Sequence, residues 1–234
     1  MQLTFSVMAW GGWSPAYQDR ESWADWQKTL SEPNSTVTPA LPQVPAMQRR
    51  RFSRLSRMML DVAFQCEPAS QCRSVFASRH GELNRTIDLL HSVIIREPLS
   101  PMGFSQSVHN TASGLFGILS ENRAASTSVA AGTESLSQAM VEAYAQLCED
   151  PSPLLLVFGD DPVPPVYNDY TEEFELPLAL GMVLAPASCG KPQLTLSKGA
   201  ELEPMSYGQL LASLAKGENC QGHLSGFDWS LSHD

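Results

Sequence analysis

Apolar residues recur at spacings of three and four along two segments of the chain, which is the period of a helix with one apolar face. The stripes contain Phe52, Leu55, Met59 and Val62 in the first segment and Ile87, Leu90 and Ile94 in the second. We therefore predict helices over residues 47–66 and 84–95. Three further helices are predicted over residues 104–119, 135–147 and 206–214. The helix over 104–119 is rich in small residues, which allow another backbone to approach closely at the centre of a fold or at a dimer axis.

Short runs rich in β-branched and large apolar residues predict strands between these helices. The runs at residues 154–158 and 176–185 are continuously apolar, so we expect both to be covered on two faces. The other predicted strands span residues 3–10, 73–77, 126–130 and 193–196. This alternation predicts an α/β fold with a mixed, mostly parallel sheet and flanking helices.

The remaining segments carry weaker patterns. Three tryptophans within residues 13–30 favour a short helix or lid, and four prolines within residues 31–46 favour a loop. Residues 164–175 are also predicted to be a loop, and the tail after Gly217 is predicted to be irregular. A chain of 234 residues can bury one substantial core, so we expect a single domain over residues 1–234.

Charge and cysteine content narrow the class of protein. The net charge of −10 argues against nucleic acid as a partner, because phosphate neutralisation needs clustered Lys and Arg. We expect no membrane span, since no run of 18 apolar residues occurs, and no signal peptide, since the N-terminus lacks a basic region. The five scattered cysteines contain no C-x-x-C pair, which favours reduced thiols in the cytoplasm over disulfides or zinc. We expect no metal and no cofactor.

Residues 125–136 are the most informative stretch, because they predict a strand, a tight turn of small residues and the start of a helix. In acyl-transfer enzymes such a turn carries a nucleophile at the helix N-terminus, where free N–H groups and the helix dipole stabilise negative charge. Gly132 stands at that position. The sequence therefore predicts the scaffold of a catalytic turn with no catalytic residue.

Four motifs together resemble the N-terminal half of a β-ketoacyl synthase, which has the thiolase fold. They are RRFSRLSR at residues 50–57, SRHGEL at 78–83, LSPMGFSQSVHN at 99–110 and AAGTESL at 130–136. The set is similar to small ketosynthase-like proteins of aryl polyene biosynthesis. The resemblance covers roughly residues 1–186, and we predict a strand, a short helix and a tail over 187–234.

The resemblance implies a subunit without its own activity. In the family, the first half supplies a cysteine nucleophile and the second half supplies two histidines, whereas here Gly132 aligns with the cysteine. His223 and His233 lie in a polar tail outside any second α/β repeat, so we assign them no catalytic role. Type II polyketide systems contain a related cysteine-less homologue, the chain-length factor, which pairs with an active ketosynthase and completes its acyl tunnel.

The implied partners are a full-length catalytic β-ketoacyl synthase and, as a further candidate, an acyl carrier protein, in polyketide, aryl polyene or fatty-acid-like biosynthesis. In the thiolase fold the strand before the nucleophile turn pairs across the dimer axis, and an unpaired strand edge needs a partner to cover it. A half-length scaffold should also expose an apolar face. The predicted interface residues are Ala125, Ser126, Thr127, Ser128, Val129 and Ala130, together with Asn110, which is alternatively a helix cap.

Two further groups have both a functional and a structural interpretation. The first comprises Phe104, Val108, Leu115 and Phe116, which form either the floor of a partner's acyl tunnel or ordinary core. The second comprises Arg50, Arg51, Arg54 and Arg57, which form either a docking patch for an acidic carrier protein or partner, or a solvated helix face with local ion pairs.

Other candidate residues favour structural roles. His109 is predicted to be a hydrogen-bonded structural histidine at a helix start, because no nucleophile is evident near it. Asp160 and Asp161 favour a turn over a metal site, since no suitably spaced ligands accompany them. A hydrolase serine is disfavoured because no Gly-x-Ser-x-Gly elbow occurs. The alternatives to a ketosynthase partner are a free-standing acyl-binding or acyltransferase protein with another nucleophile, and a homodimeric structural protein that associates through residues 125–130.

Overall fold

The computed structural model describes residues 2–27, 35–171, 175–199 and 202–233. They form one eight-stranded sheet with helices on both faces. The strands are β1 (Gln2–Trp13), β2 (Ser74–Ala77), β3 (Ser126–Val129), β4 (Leu154–Asp160), β5 (Leu178–Pro186), β6 (Gln193–Ser197), β7 (Cys220–Leu224) and β8 (Phe227–Ser232). The helices are α1 (Ala46–Arg49), α2 (Arg54–Gln65), α3 (Leu83–Ile94), α4 (Pro101–Ser105), α5 (Thr111–Leu119), α6 (Ser135–Glu149) and α7 (Tyr207–Lys216).

The strand order is β3-β2-β4-β5-β1-β6-β8-β7. Only β2 pairs in parallel, with β3 on one side and β4 on the other, and the other five pairings are antiparallel. The predicted α/β class with a mixed sheet and flanking helices is confirmed, but the sheet is mostly antiparallel. The expectation failed because parallel pairing requires crossover connections, which helices α3 to α6 supply between β2, β3 and β4. In the described residues no α-helix separates β4 from β5 or β7 from β8, and both of these pairs are antiparallel.

Two apolar clusters cover the two faces of the sheet. One contains Leu136 and Met140 of α6 with Leu210 of α7, and the other contains Met59 of α2 with Phe116 of α5. Strand β4 contributes alternately to both, with Leu154, Leu156 and Phe158 in the first cluster and Leu155 and Val157 in the second. The prediction that residues 154–158 are covered on two faces is therefore confirmed.

Two of the predicted helices are each divided. Residues 47–66 form α1 and α2, because Ser53 adopts an extended backbone and its hydroxyl accepts the Ser56 N–H at 2.9 Å, which starts a new helix. Residues 104–119 contain the end of α4 and all of α5. Helix α4 begins at Pro101 behind the Ser100 cap, and α5 begins at Thr111.

The segments with weaker sequence patterns match their predictions only in part. A short 3₁₀ helix spans Ser22–Asp25, and another spans Pro165–Tyr170 within the predicted loop. The expectations for residues 28–34 and 172–174 lie outside the described residues. The tail after Gly217 is not irregular: it forms the β7–β8 hairpin, because Ser225 and Gly226, with φ of 52° and 77°, make the tight turn that such hairpins favour. No helix in the described ranges is long and apolar enough to cross a membrane.

Candidate functional site

The turn between β3 and α6 holds Gly132 in an open position. A short 3₁₀ helix, Gly132–Glu134, joins the strand to the helix, and Gly132 has a φ of +57°. A Cβ at this glycine would meet no atom within 4 Å. The Ser135 hydroxyl accepts the Ala131 N–H at 3.0 Å and donates to the Gly132 carbonyl at 2.7 Å. The turn is therefore closed by its own residues, and position 132 presents only backbone to its surroundings.

The turn between β7 and β8 is hydrogen-bonded to the first turn of α6 and the residues before it. The Ser225 hydroxyl donates to the Thr133 carbonyl at 3.0 Å and accepts the Ser137 N–H at 3.3 Å, and the Ser137 hydroxyl donates to the Leu224 carbonyl at 3.4 Å. The turn lies so close that a Cβ at Gly226 would meet the Glu134 carboxylate at 2.7 Å. An N–H group that could stabilise an oxyanion at this helix terminus is thus already bonded within the chain.

Strand β3 forms one edge of the sheet and pairs only with β2 among the described residues. The Ala125 and Val129 carbonyls accept N–H groups of β2, from Ser74 at 3.0 Å and Ser78 at 3.3 Å. Because backbone direction alternates along a strand, the N–H and C=O groups of Ser126 and Ser128 point away from the sheet. The residues predicted as a partner interface therefore include a strand edge with outward-facing backbone groups.

The opposite edge of the sheet is covered by the chain itself. Strand β7 is flanked by residues 203–205, since the His223 N–H donates to the Glu203 carbonyl at 2.8 Å and its carbonyl accepts the Met205 N–H at 2.8 Å. The two edges thus differ, and β3 is the one that offers groups for pairing.

The four tunnel-floor candidates occupy different environments. Phe104 and Val108 are exposed, at 64% and 49%, while Leu115 is half-buried against the core on the α2 face of the sheet. Phe116 is only 2% exposed, and its ring centre lies 5.9 Å from that of Phe64 and 5.8 Å from that of Phe76. Phe116 is therefore a core residue, which is the structural one of the two interpretations given for this group. The tunnel-floor interpretation stays a prediction for Phe104, Val108 and Leu115. Asn110 is exposed, and its side chain makes no capping hydrogen bond to α5, so its place in an interface stays a prediction.

The arginine group divides into two pairs. Arg54 lies 2.6 Å from the Asp161 carboxylate, and Arg57 donates to the Arg49 carbonyl at 2.7 Å and the Thr38 hydroxyl at 3.2 Å. Burial and the neighbouring Arg49 charge lower the pKa of Arg57. For Arg54 and Arg57 the contacts favour a structural role, because both side chains bond α2 to neighbouring segments of the same chain.

Arg50 and Arg51 are exposed and line a groove of about 920 Å³ between the start of α2 and the α3–α4 region. Glu82 closes its base. Its buried carboxylate accepts the Ser53 hydroxyl at 2.7 Å and the Ser56 hydroxyl at 2.6 Å, and burial raises its pKa. The sequence argument missed Glu82, although it stands in the SRHGEL motif that contributed to the resemblance.

His109 is the hydrogen-bonded structural histidine that the sequence favoured, whereas Asp160 is the buried last residue of β4 rather than part of a turn. The His109 Nε2 lies 2.9 Å from the Ser78 carbonyl, and the ring packs against Gly81, whose φ is +56°. The Asp160 carboxylate accepts the Ser78 hydroxyl at 2.9 Å and the Arg79 N–H at 2.8 Å. In the tail, the His223 Nδ1 lies 2.9 Å from the Asp228 carboxylate.

These features together define an α/β protein of thiolase-like fold in which the turn that carries a nucleophile in acyl-transfer enzymes contains glycine. Residues 23–226 match the family described as the β-ketoacyl synthase N-terminal domain, and the chain belongs to that family. The matched region extends past residue 186. No curated protein matches the sequence significantly.

Solved structures share the fold. One chain in a structure described as the ketosynthase ApeO in complex with its chain length factor ApeC, from Xenorhabdus doucetiae, is 24% identical with a TM-score of 0.82, over 98% of this chain and 99% of that chain. A chain of the ishigamide ketosynthase/chain length factor is 15% identical with a TM-score of 0.60, over 83% of this chain and 65% of that chain. A chain of the AntDE:AntF complex, a type II polyketide synthase acyl carrier protein with its ketosynthase, is 14% identical with a TM-score of 0.58, over 80% of this chain and 64% of that chain. The predicted thiolase-like fold is therefore confirmed.

Proposed function

We propose that this protein is a non-catalytic, chain-length-factor-type subunit that pairs with and stabilises an active β-ketoacyl-ACP synthase. The pathway would be type II polyketide, aryl polyene or fatty-acid-like biosynthesis. The observation that carries the proposal is the open edge of β3, which leads directly into the turn where Gly132 stands in place of a nucleophile. An exposed strand edge is a template for pairing with another chain.

Two observations support this assignment over an independent enzyme. Position 132, where the family's nucleophile would stand, offers no side chain for covalent catalysis. The Ser137 N–H in the first turn of α6 is bonded to the Ser225 hydroxyl rather than open to a substrate oxygen. The similarity to solved structures supports the same assignment, because those structures are described as ketosynthases with a chain length factor.

Replacing Ser128 by proline should weaken binding to a co-expressed, full-length ketosynthase by about tenfold or more. Proline removes the outward N–H of residue 128, and it leaves the β2–β3 hydrogen bonds in place because those involve residues 125, 127 and 129. Binding would be measured by copurification and by titration of the purified proteins.

Ser128→Ala is the matched control for this substitution. It also loses the contact between the Ser128 and Ser113 hydroxyls, which lie 3.4 Å apart, but it keeps the backbone N–H. We expect it to bind like the wild type. If the proline and alanine variants bind equally well, β3 is not the pairing edge; if the wild type never associates with a ketosynthase, the proposed function is wrong.

Replacing Gly132 by cysteine should give no condensing activity with acyl- and malonyl-carrier-protein substrates. The thiol would be accessible, since no described atom lies within 4 Å of the Cβ position, and for the same reason no histidine base is in direct contact with that position. Labelling with a thiol reagent would show that the new cysteine is exposed, with Gly132→Ala as the control for the other five cysteines. Any product formed by Gly132→Cys alone would contradict our assignment of this turn.

An acyl carrier protein is a candidate second partner. Arg50 and Arg51 are exposed on the rim of the groove at the start of α2, where they could attract an acidic surface. The Arg50→Glu/Arg51→Glu double variant tests this part of the proposal. The measurement is the salt dependence of its binding to the carrier protein.

The two alternatives have direct tests. A covalent acyl adduct on this chain alone, after incubation with acyl-carrier-protein thioesters, would indicate a free-standing enzyme with another nucleophile. A dimer mass without ketosynthase that does not change when ketosynthase is added would indicate a homodimeric structural protein. Cytoplasmic location and the single-domain organisation over residues 1–234 stay predictions.

A further inference from the structure

Helix α3 has the apolar stripe of a core-packed helix, yet none of its twelve residues is buried. Leu90 is 52% exposed and Ile94 is 77% exposed, although both belong to the stripe that predicted the helix. Amphipathic helices in globular proteins normally bury this face. The apolar face of α3 is therefore only partly covered by the described residues, with Ile87 half-buried and Leu90 and Ile94 exposed.

Helix α3, helix α4 and the residues around them form a projection, residues 83–108, that we call the helical arm. Its two helices meet where Leu89 packs against Gly103, with 3.6 Å between the Leu89 side chain and a Cβ built on the glycine. The arm is attached at its base, where Arg85 donates to the Arg51 carbonyl at 2.9 Å and Asn84 to the Pro162 carbonyl at 3.0 Å. Among the described residues, no hydrogen bond of this kind attaches the distal part of the arm to the sheet.

The exposed apolar side chains of the protein are concentrated on this arm. Of the fourteen large hydrophobic residues that are exposed in the described part of the chain, eight lie on it. They are Leu90, Val93, Ile94, Ile95, Leu99, Met102, Phe104 and Val108. A concentration of exposed apolar side chains on one segment is typical of an interaction site.

The arm lies next to the carboxyl end of β3. Its return segment is fixed by His109, whose Nε2 lies 2.9 Å from the Ser78 carbonyl. The N–H of the same Ser78 donates to the Val129 carbonyl at the end of β3, at 3.3 Å. A chain that pairs along the β3 edge would therefore reach the base of the arm.

The size of the β3 edge shows that it needs an additional contact surface. Strand β3 has four residues with small or medium side chains, whereas a stable protein interface buries about 800 Å² per partner and draws on about 20–30 residues a side. We propose that the helical arm is the second part of the ketosynthase-binding surface and packs its apolar face on the same partner that pairs with β3. This inference rests on the proposed function and adds a separate site to it.

The charge on the arm favours a protein over a membrane. Residues 83–108 contain Arg85, Arg96, Asp88 and Glu97, so the two cations and two anions cancel. Helices that lie on anionic lipid surfaces carry an excess of Lys and Arg on their polar face. An uncharged apolar face fits the depleted charge at the centre of a protein–protein interface.

Replacing Ile94 or Leu90 by glutamate tests the arm. We expect each change to weaken binding to the co-expressed, full-length ketosynthase by about tenfold, because a charge would be buried at the interface centre. Met47→Glu on α1 is the matched control, since Met47 is 75% exposed and Ile94 is 77% exposed, and it should bind within about twofold of the wild type. Thermal unfolding of the isolated variants should stay unchanged because these side chains are exposed.

The outcomes separate this inference from the proposed function. If Ser128→Pro disrupts the complex and Ile94→Glu does not, the arm is not part of the interface while the proposed function stands. If the wild type binds no ketosynthase, the proposed function fails and the arm with it. Two results would overturn the inference by assigning the arm to another occupant. In the first, Ile94→Glu abolishes self-association of the isolated chain without changing ketosynthase binding. In the second, it abolishes pelleting with phosphatidylcholine–phosphatidylglycerol vesicles, again without changing ketosynthase binding.

Discussion

Replacing Phe116 by alanine should lower the free energy of unfolding of the isolated chain by about 3–5 kcal/mol, the usual cost of deleting a buried aromatic ring. The ring is 2% exposed and packs between Phe64 of α2 and Phe76 of β2. Its removal would leave a cavity where α5 and α2 meet the sheet. Chemical denaturation followed by circular dichroism measures the change.

Phe104→Ala is the matched control for this prediction. The same aromatic side chain is deleted, but Phe104 is 64% exposed on α4, so its loss should change the stability of the isolated chain by no more than about 0.5 kcal/mol. Equal destabilisation by the two substitutions would contradict the placement of Phe116 in the core and of Phe104 at the surface.

Phe104 and Phe116 have different environments although one predicted helix contains both. A single helix over residues 104–119 places Phe104, Val108 and Leu115 on one face, with Phe116 beside them. The structure interrupts that helix, with α4 ending at Ser105 and α5 beginning at Thr111. A break changes the rotational phase between the two segments, so residues on either side of it no longer share a face. At the interruption, His109 contacts the Ser78 carbonyl, a residue far from it in sequence.

Local pattern predicted most elements correctly because their periodicity follows from burial on one or two faces. Strand β4 was recognised from its continuous apolar run, and α2 and α6 from their spacing. Strand direction was not available from the same information, since a buried strand has the same pattern in parallel and antiparallel pairings. The β7–β8 hairpin was missed, although Ser225-Gly226 is a turn signal and Phe227, Trp229 and Leu231 alternate with polar residues as in a half-buried strand.

The candidate site was predictable where it depends on backbone position and not where it depends on contacts between distant segments. Gly132 and the β3 strand follow from the strand-turn-helix pattern itself. The Ser225 hydroxyl accepts an N–H of α6, and the Glu82 carboxylate accepts the Ser53 and Ser56 hydroxyls. Each of these contacts joins segments that no local sequence pattern relates. The exposure of α3 is a third case, because amphipathicity shows that a face is apolar but not which chain covers it.

A buried carboxylate beneath the SRHGEL segment should make the stability of the protein depend on pH. Asp160 is 2% exposed at the end of β4, and burial raises its pKa from 3.8 to about 6 despite hydrogen bonds from the Ser78 hydroxyl and the Arg79 and His80 N–H groups. The nearby groups that interact with it include Arg79 and the buried Tyr207 hydroxyl. The folded protein therefore binds the Asp160 proton more tightly than the unfolded chain does.

The sign of the effect follows from this difference. The contribution of Asp160 is fully present below pH 3.8 and is lost as the pH rises through about 6, so the free energy of unfolding should fall by roughly 3 kcal/mol across that interval. Asp160→Asn removes the titrating group and keeps an oxygen for the Ser78 and Arg79 donors. The variant should match the wild type near pH 4 and be more stable at pH 7, as measured by denaturation at a series of pH values.

Asp150→Asn provides a control with the opposite sign for this last prediction. Hydrogen bonds from Ser152 lower the pKa of the exposed Asp150, so its contribution to stability is present at neutral pH and is lost on acidification. Removing it should reduce stability at pH 7 relative to acid, whereas Asp160→Asn should do the reverse. A stability profile between pH 4 and pH 7 that Asp160→Asn leaves unchanged would show that another group controls it, and Glu82, whose pKa burial also raises, would be the next carboxylate to replace.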